Sequence, residues 1–271
     1  MCELLGMSAN VPTDICFSFS GLIKRGGDTG PHKDGWGIAF YEGKGYREFR
    51  DPKPSVDSEI AQLIQNYPIK SKVVISHIRQ ANVGEICLEN THPFSREMWG
   101  RYWSYAHNGQ LEDAPGHFPA SFYLPVGSTD SEQAFCWLLA QIRLNFTDQC
   151  AVEPLSMALH TWCEQLRDKG VFNMLLSNGD YLFAYCSTKL NWITRRAPFG
   201  EANLSDVEMT VDFKKETTPN DVVTVIATQP LTDNEAWNTM QTGELTVFKE
   251  GEVVLQHFSK RVMANSNGAQ G

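Results

Sequence analysis

The clearest hydrophobic pattern lies in the middle of the chain. In STDSEQAFCWLLAQIRLNF, Ala134, Phe135, Leu138, Leu139 and Ile142 recur as one helical face, with Thr129 and Glu132 at capping-box spacing ahead of them. A second stripe of Leu155, Leu159, Trp162 and Leu166 predicts a helix from about Pro154 to Lys169, with proline in its first turn and Gly170 just past its end. SVDSEIAQLIQN predicts a shorter helix carrying Ile60, Leu63 and Ile64 on one face. Elsewhere the runs are strand-like: GWGIAFYEGKGYREF as two strands around a glycine-rich turn, then KVVISHI and RYWSYAH. VFNMLLS and DYLFAYC meet at an Asn-Gly hairpin turn, followed by LNWIT, VEMTV, VVTVIAT and LTVFKEGEVVL.

Helices in the middle with strands on both sides do not fit the alternation of a doubly wound parallel sheet. The order suits antiparallel sheets covered by a few helices, an α+β domain. No repeat, charge block or Pro/Ser-rich linker divides the chain. Residues 2–263 are therefore expected to form a single domain, and the small polar run 264–271 a flexible tail.

Composition narrows the function. A net charge of −9 argues against nucleic acid or an anionic membrane as partner, since both reward clustered Lys and Arg. No apolar run approaches the ~20 residues that span a bilayer, and no secretory signal is visible at the N-terminus. The seven cysteines include no C-x-x-C pair, which speaks against a zinc ribbon or a disulfide framework. A cytoplasmic protein with reduced thiols, no metal and no cofactor is the expectation.

Four stretches combine residue types suited to amide hydrolysis. MCELLG places Cys2 where loss of Met1 would expose its α-amine, whose pKa of roughly 7.7–8.0 lets it serve as the thiol's own base; an ordinary buried thiol is the alternative. SHIRQANVG carries Arg79, a guanidinium fork suited to a carboxylate, or else a member of a surface ion pair, with His77 on the same strand face. In YAHNGQL, Asn108 and Gly109 form either a plain turn or an oxyanion hole, and His107 before them admits a Cys/His reading. In GSTDSEQAF, Asp130 either helps to cap the helix or binds a substrate ammonium. A thiol, an oxyanion hole, a carboxylate clamp and an ammonium clamp together describe a site for glutamine or a γ-glutamyl compound.

With these stretches in view, the chain resembles the class II glutamine amidotransferases of the N-terminal-nucleophile hydrolase superfamily, stand-alone subgroup. The matching segments are MCELLG, HKDGWGIAFY, SHIRQANVGEICLENTHPF, YAHNGQL and STDSEQAF, with an echo in VIATQPLTDNEAW. The resemblance implies a four-layer αββα sandwich of two antiparallel sheets with outer helices. It implies a γ-glutamyl thioester on Cys2, an oxyanion hole from Asn108 and Gly109, and a glutamine held by Arg79 and Asp130. Arg25 corresponds to a structural arginine near the nucleophile, and DGWG and NTHPF to framework positions. Asn82 stands where the family usually has a small hydroxyl residue, and ATQPL replaces a commoner acidic version.

Within this class the protein either supplies ammonia to a separate acceptor or peptidase subunit, or hydrolyses γ-glutamyl peptides or amide metabolites for their own sake. The chain leaves little room for a synthase domain of its own. A papain-like enzyme pairing an internal cysteine with His77, His92 or His107 is a different class of reading. A non-catalytic regulatory subunit of the same fold is the third.

Overall fold

The computed structural model describes residues 2–81, 84–112, 122–212 and 218–260. Position 82 and the tail 264–271 lie outside the described residues. The first half runs β1 (Glu3–Thr13), α1 (Cys16–Lys24), β2 (Trp36–Glu42), β3 (Gly45–Asp51), α2 (Glu59–Asn66), β4 (Ser71–Ile78), β5 (Phe94–Met98) and β6 (Arg101–Leu111). Helices α3 (Asp130–Asn145) and α4 (Val152–Arg167) follow. The rest is β7 (Gly170–Ser177), β8 (Leu182–Cys186), β9 (Asn191–Arg196), β10 (Glu201–Asn203), β11 (Thr210–Asp212), β12 (Val222–Ala227), β13 (Asn238–Thr239), β14 (Glu244–Lys249) and β15 (Glu252–Phe258).

Two antiparallel sheets carry the fold. One has seven strands in the order β13-β9-β12-β1-β4-β2-β3, the other six in the order β15-β14-β8-β7-β6-β5. Alternation along each strand sorts the apolar side chains into three layers. Leu5, Met7, Ile38, Val74 and Ile78 face α1 and α2, where they meet Phe19, Leu22 and Ile64. Leu4, Val73, Ile75, Ala106, Leu175 and Ile226 fill the space between the sheets. Tyr105, Met174, Phe183 and Leu245 face α3 and α4 and pack on Phe135, Leu138, Leu159 and Leu166. The architecture is the α+β, αββα sandwich.

Several elements depart from the sequence expectations. In α2 the buried residues are Ala61 and Ile64, while Ile60 and Leu63 are exposed. Eight residues make little more than two turns, capped by Ser58, which accepts the Ala61 N–H, and it is Ala61 and Ile64 that pack into the core beside α1. At α3, Thr129 accepts the Glu132 N–H as expected. Glu132 does not return the bond: its carboxylate takes the Gly127 N–H and pairs with Arg96 at 2.5 Å, so only half of the capping box forms. The Asn-Gly turn spans four residues between Ser177 and Leu182, because Asn178 Oδ1 accepts from both Asp180 N and Tyr181 N and draws them into the turn. Of VEMTV only the end is strand, paired with β10 in a separate two-stranded ribbon.

Phe135 is fully buried and stacks on Tyr105 with ring centroids 5.0 Å apart. Phe135→Ala should lower the free energy of unfolding by about 3–5 kcal/mol, measured by urea denaturation with tryptophan fluorescence as the signal.

Candidate active site

Cys2 stands immediately before β1, the strand flanked by β4 and β12. The register Glu3↔Ile78 brings Cys2 beside the segment that leaves β4, and the Gln80 N–H donates to Cys2 Sγ at 3.3 Å. Burial pushes the Cys2 thiol above its ordinary value, while the Gln80 N–H and the positive charge of Arg79 pull it back.

The DGWG stretch holds that segment from below. Gly35 O accepts the Arg79 N–H at 2.8 Å, Arg79 O accepts the Asp34 N–H at 3.2 Å, and Asp34 Oδ2 accepts the Ala81 N–H at 2.7 Å. Gly37 must lack a side chain, since a Cβ there would lie 2.3 Å from the His92 carbonyl oxygen. NTHPF works from the other side. Asn90 donates to Glu85 O and Ser128 Oγ and accepts from Ser128 N, fastening the loop after Arg79 to the start of α3. Arg79 itself is buried and donates to the same Glu85 carbonyl at 3.0 Å.

Strand pairing explains the other wall. β5 pairs with β6 only as far as Phe94↔Tyr105, whereas β7 follows β6 to Leu111. Beyond Tyr105 no strand among the described residues pairs with the outer edge of β6. The Leu111 N–H points over this edge to Asp130 Oδ2 at 2.8 Å. Amide direction repeats every second residue, so the Gly109 N–H points over the same edge. A Cβ on Gly109 would sit 1.8 Å from Val171 O, so no other residue fits there without moving β7. The result is a narrow cleft of about 40 Å³ whose lining includes Cys2, Arg79, Gln80, Gly109, Gln110 and Asp130. Asn108 is not in the lining; its side chain faces the space between the sheets, with Nδ2 3.4 Å from Thr228 Oγ1.

The histidines play a different part from the one a Cys/His enzyme needs. His107 Nε2 lies 3.1 Å from Val171 O, and a carbonyl can only accept, so this nitrogen carries the proton. Nδ1 then accepts from Ser131 Oγ at 2.8 Å, and both ring nitrogens are committed to joining β6 to β7 and α3. His77 and His92 lie in tilted contact with ring centroids 4.2 Å apart, and both are buried with no hydrogen-bond partner for their ring nitrogens among the described residues. Burial, reinforced by the neighbouring His107 and Arg79, lowers His77 to about 3, with the His107 main chain pulling weakly back. Burial also holds His92 well below the ordinary histidine value. The hydrogen bonds of Cys2 run to the Gln80 main chain, and among the described residues none joins it to a histidine.

Arg25 is buried against Glu3 at 3.0 Å and Asp206 at 2.8 Å, and donates to the Gln229 and Pro230 carbonyls. It braces the start of β1 from outside the cleft. Sequence reasoning passed over Gln80, which acts through its main chain and leaves no side-chain signal. It also gave no role to Thr228, although ATQPL drew attention to that segment.

Residues 1–270 match the model of the class-II glutamine amidotransferases. The chain belongs to that family. It is 62% identical over 260 residues to YafJ of Escherichia coli K12, a protein named after these amidotransferases, covering 94% of this chain and 100% of YafJ. A relative from Haemophilus influenzae is 44% identical over 271 residues, covering 100% of this chain and 92% of its own length. A crystal structure of a family member from Pseudomonas aeruginosa superposes with a TM-score of 0.75 at 56% identity, over 94% of this chain and 100% of that one. The glutamine phosphoribosylpyrophosphate amidotransferase of Bacillus subtilis shares the fold alone, with a TM-score of 0.60 at 15% identity over 95% of this chain and 49% of that one. The fold is that of the N-terminal-nucleophile amidotransferases. Among the described residues no helix is long and apolar enough to cross a membrane.

The buried imidazoles predict an acid-sensitive fold. A histidine that titrates near 6.5 when unfolded but near 3 when folded adds no penalty above pH ~6.5. Between those values the unfolded chain takes up a proton the folded one refuses, and stability falls by about 1.4 kcal/mol per pH unit per histidine. His77→Phe should flatten the acid limb of unfolding free energy against pH by about one such increment, measured by urea titrations from pH 4 to 7.

Proposed function

We propose that the protein is a cysteine-dependent glutamine amidohydrolase that cleaves the side-chain amide of glutamine, or of a related linear γ-glutamyl amide, through a γ-glutamyl thioester on Cys2. The observation that supports it most is the convergence of Cys2, Arg79, Gly109 and Asp130 on one cleft from four separate elements.

In this reading Met1 is removed and the exposed α-amine takes the Cys2 proton as sulfur attacks the amide carbon. The neighbouring amine suits a thiol whose pKa burial has raised, because thiolate is otherwise scarce at neutral pH. The developing oxyanion receives the Gly109 N–H and the Asn108 amide. Collapse breaks the C–N bond, the amine returns its proton to the departing ammonia, and water then attacks the thioester to release the acid. Arg79 holds the substrate carboxylate and Asp130 its ammonium, the latter with a carboxylate already fixed by Leu111 N. The reading treats 2–263 as one domain with 264–271 as its tail. It places the protein in the cytoplasm, where its seven free cysteines stay reduced.

The experiment is intact-mass analysis before and after a glutamine-like diazoketone, with ammonia release assayed on glutamine and γ-glutamyl dipeptides. The expected result is loss of Met1 and one adduct at Cys2; retained Met1, or processed protein without an adduct, would sink the reading. Cys2→Ala should lose at least about 1,000-fold in kcat. Arg79→Lys and Asp130→Asn should raise KM by at least about tenfold each, since each weakens a charged contact worth roughly 1.5–3 kcal/mol. A KM unchanged by either substitution would remove that residue from the substrate clamp.

A further inference from the structure

Asn108 and Thr228 are both buried, at 1% and 2% exposure, and are separated by 120 positions in the chain. Thr228 ends β12's course beside the nucleophile strand and is held from three directions. Its N–H donates to Leu4 O at 3.2 Å, its hydroxyl oxygen accepts the Leu4 N–H at 2.9 Å, and its carbonyl accepts from Asn191 Nδ2 at 2.9 Å. The hydroxyl is thus rigidly placed two residues from Cys2.

The contact between Thr228 and Asn108 is mismatched as it stands. With Asn108 Nδ2 turned toward Thr228, the hydroxyl oxygen receives two N–H donors, from Leu4 and Asn108. A hydroxyl also has a proton to give, and among the described residues that proton has no acceptor. Asn108 Oδ1 is buried, and among the described residues it has no donor. A primary amide has nearly the same shape when its nitrogen and oxygen exchange places. One half-turn lets Thr228 Oγ1–H donate to Asn108 Oδ1, so both unmet groups meet each other. What remains unpaired is the amide NH2, in the place the orphaned oxygen held.

We infer that Thr228 is a positioning residue: its hydroxyl fixes the Asn108 amide with oxygen inward and NH2 free to receive the substrate oxyanion. This rests on the amidohydrolase reading for its consequence in catalysis, but the orientation itself does not. A backbone-anchored hydroxyl on the nucleophile's own sheet then sets the distance between sulfur and oxyanion donor. Thr228 touches no substrate; it acts through Asn108.

Two measurements test it. A neutron structure of the resting full-length protein distinguishes amide nitrogen from oxygen and shows the hydroxyl deuteron. A deuteron on Thr228 aimed at Asn108 oxygen is expected, and Asn108 nitrogen facing Thr228 would overturn the inference whether or not the protein hydrolyses glutamine. Steady-state kinetics supply the second. Deleting a whole oxyanion donor costs about 100–1,000-fold in kcat, so Thr228→Val, which only disorients one, should cost about 10–100-fold with KM changed less than about threefold. Thr228→Ser should retain activity within about threefold. In an Asn108→Ala background, Thr228→Val should cost no more than about threefold further, because its target is gone. An equal loss in that background would show that Thr228 acts independently of Asn108, as would loss in proportion to a lowered melting temperature with kcat and KM moving together. Wild-type protein inert toward every γ-glutamyl amide would remove the functional reading and leave the neutron result to decide the orientation.

Discussion

The antiparallel pairing of β1 with β4 on one side and β12 on the other is the constraint on which the candidate site depends. Both faces of β1 are buried, Leu5 and Met7 toward the helices and Leu4 toward the second sheet. A register slip of one residue would exchange these faces, so hydrophobic burial fixes the strand's position along its axis. With the register fixed, Cys2 arrives where β4 releases Arg79 and Gln80 and where β12 ends near Thr228. The location of Cys2 follows from packing free energy. No bond made by its sulfur is needed to put it there.

A second constraint supplies the acceptor side of the chemistry. Because β5 pairs with β6 only as far as Tyr105, no strand among the described residues pairs with that edge of β6 beyond it, and unpaired main-chain donors in a protein interior are costly unless something accepts from them. Asp130 accepts one of them, and a reacting carbonyl is suited to another. Burial holds the histidines behind this edge below the ordinary histidine value, while Arg79 places a positive charge at the cleft. A neutral back wall and a charged rim suit a substrate whose ends are ionised and whose reacting amide is not.

Helices α3 and α4 were legible in the sequence: α4 has one buried and one more exposed face, and α3 shows its Thr129 cap and apolar stripe, although the run from Ala134 to Ala140 is buried throughout. So were most strands after Gly170, where apolar runs are bounded by turn residues. β1 and α1 were not. ELLGMSANVPT is buried on both faces for most of its length, so it shows no alternation, and CFSFSGLIK is nearly all buried despite its serines and glycine. Cys2, Arg79, Gly109 and Asp130 could be named from residue chemistry and from the family resemblance. Their support could not, because it depends on long-range geometry. The early end of β5, the Gln80 main-chain bond to sulfur and the Thr228–Asn108 contact join residues that no local pattern connects.

The glutamine in ATQPL, which had no explanation from sequence, gains one from the charges around Arg25. Gln229 Nε2 donates to Glu3 Oε1 at 3.2 Å, while Glu3 Oε2 pairs with Arg25 at 3.0 Å. Arg25 also serves Asp206, so this buried cluster already holds two carboxylates against one guanidinium. An acidic side chain at 229 would bring a third negative charge within hydrogen-bond distance of Glu3, where low polarity makes like charges expensive. A carboxamide supplies a donor at the same reach with no charge. The glutamine here thus suits the carboxylate at position 3. With Glu3 next to Cys2, the neutral amide keeps the start of β1, and Cys2 with it, in place.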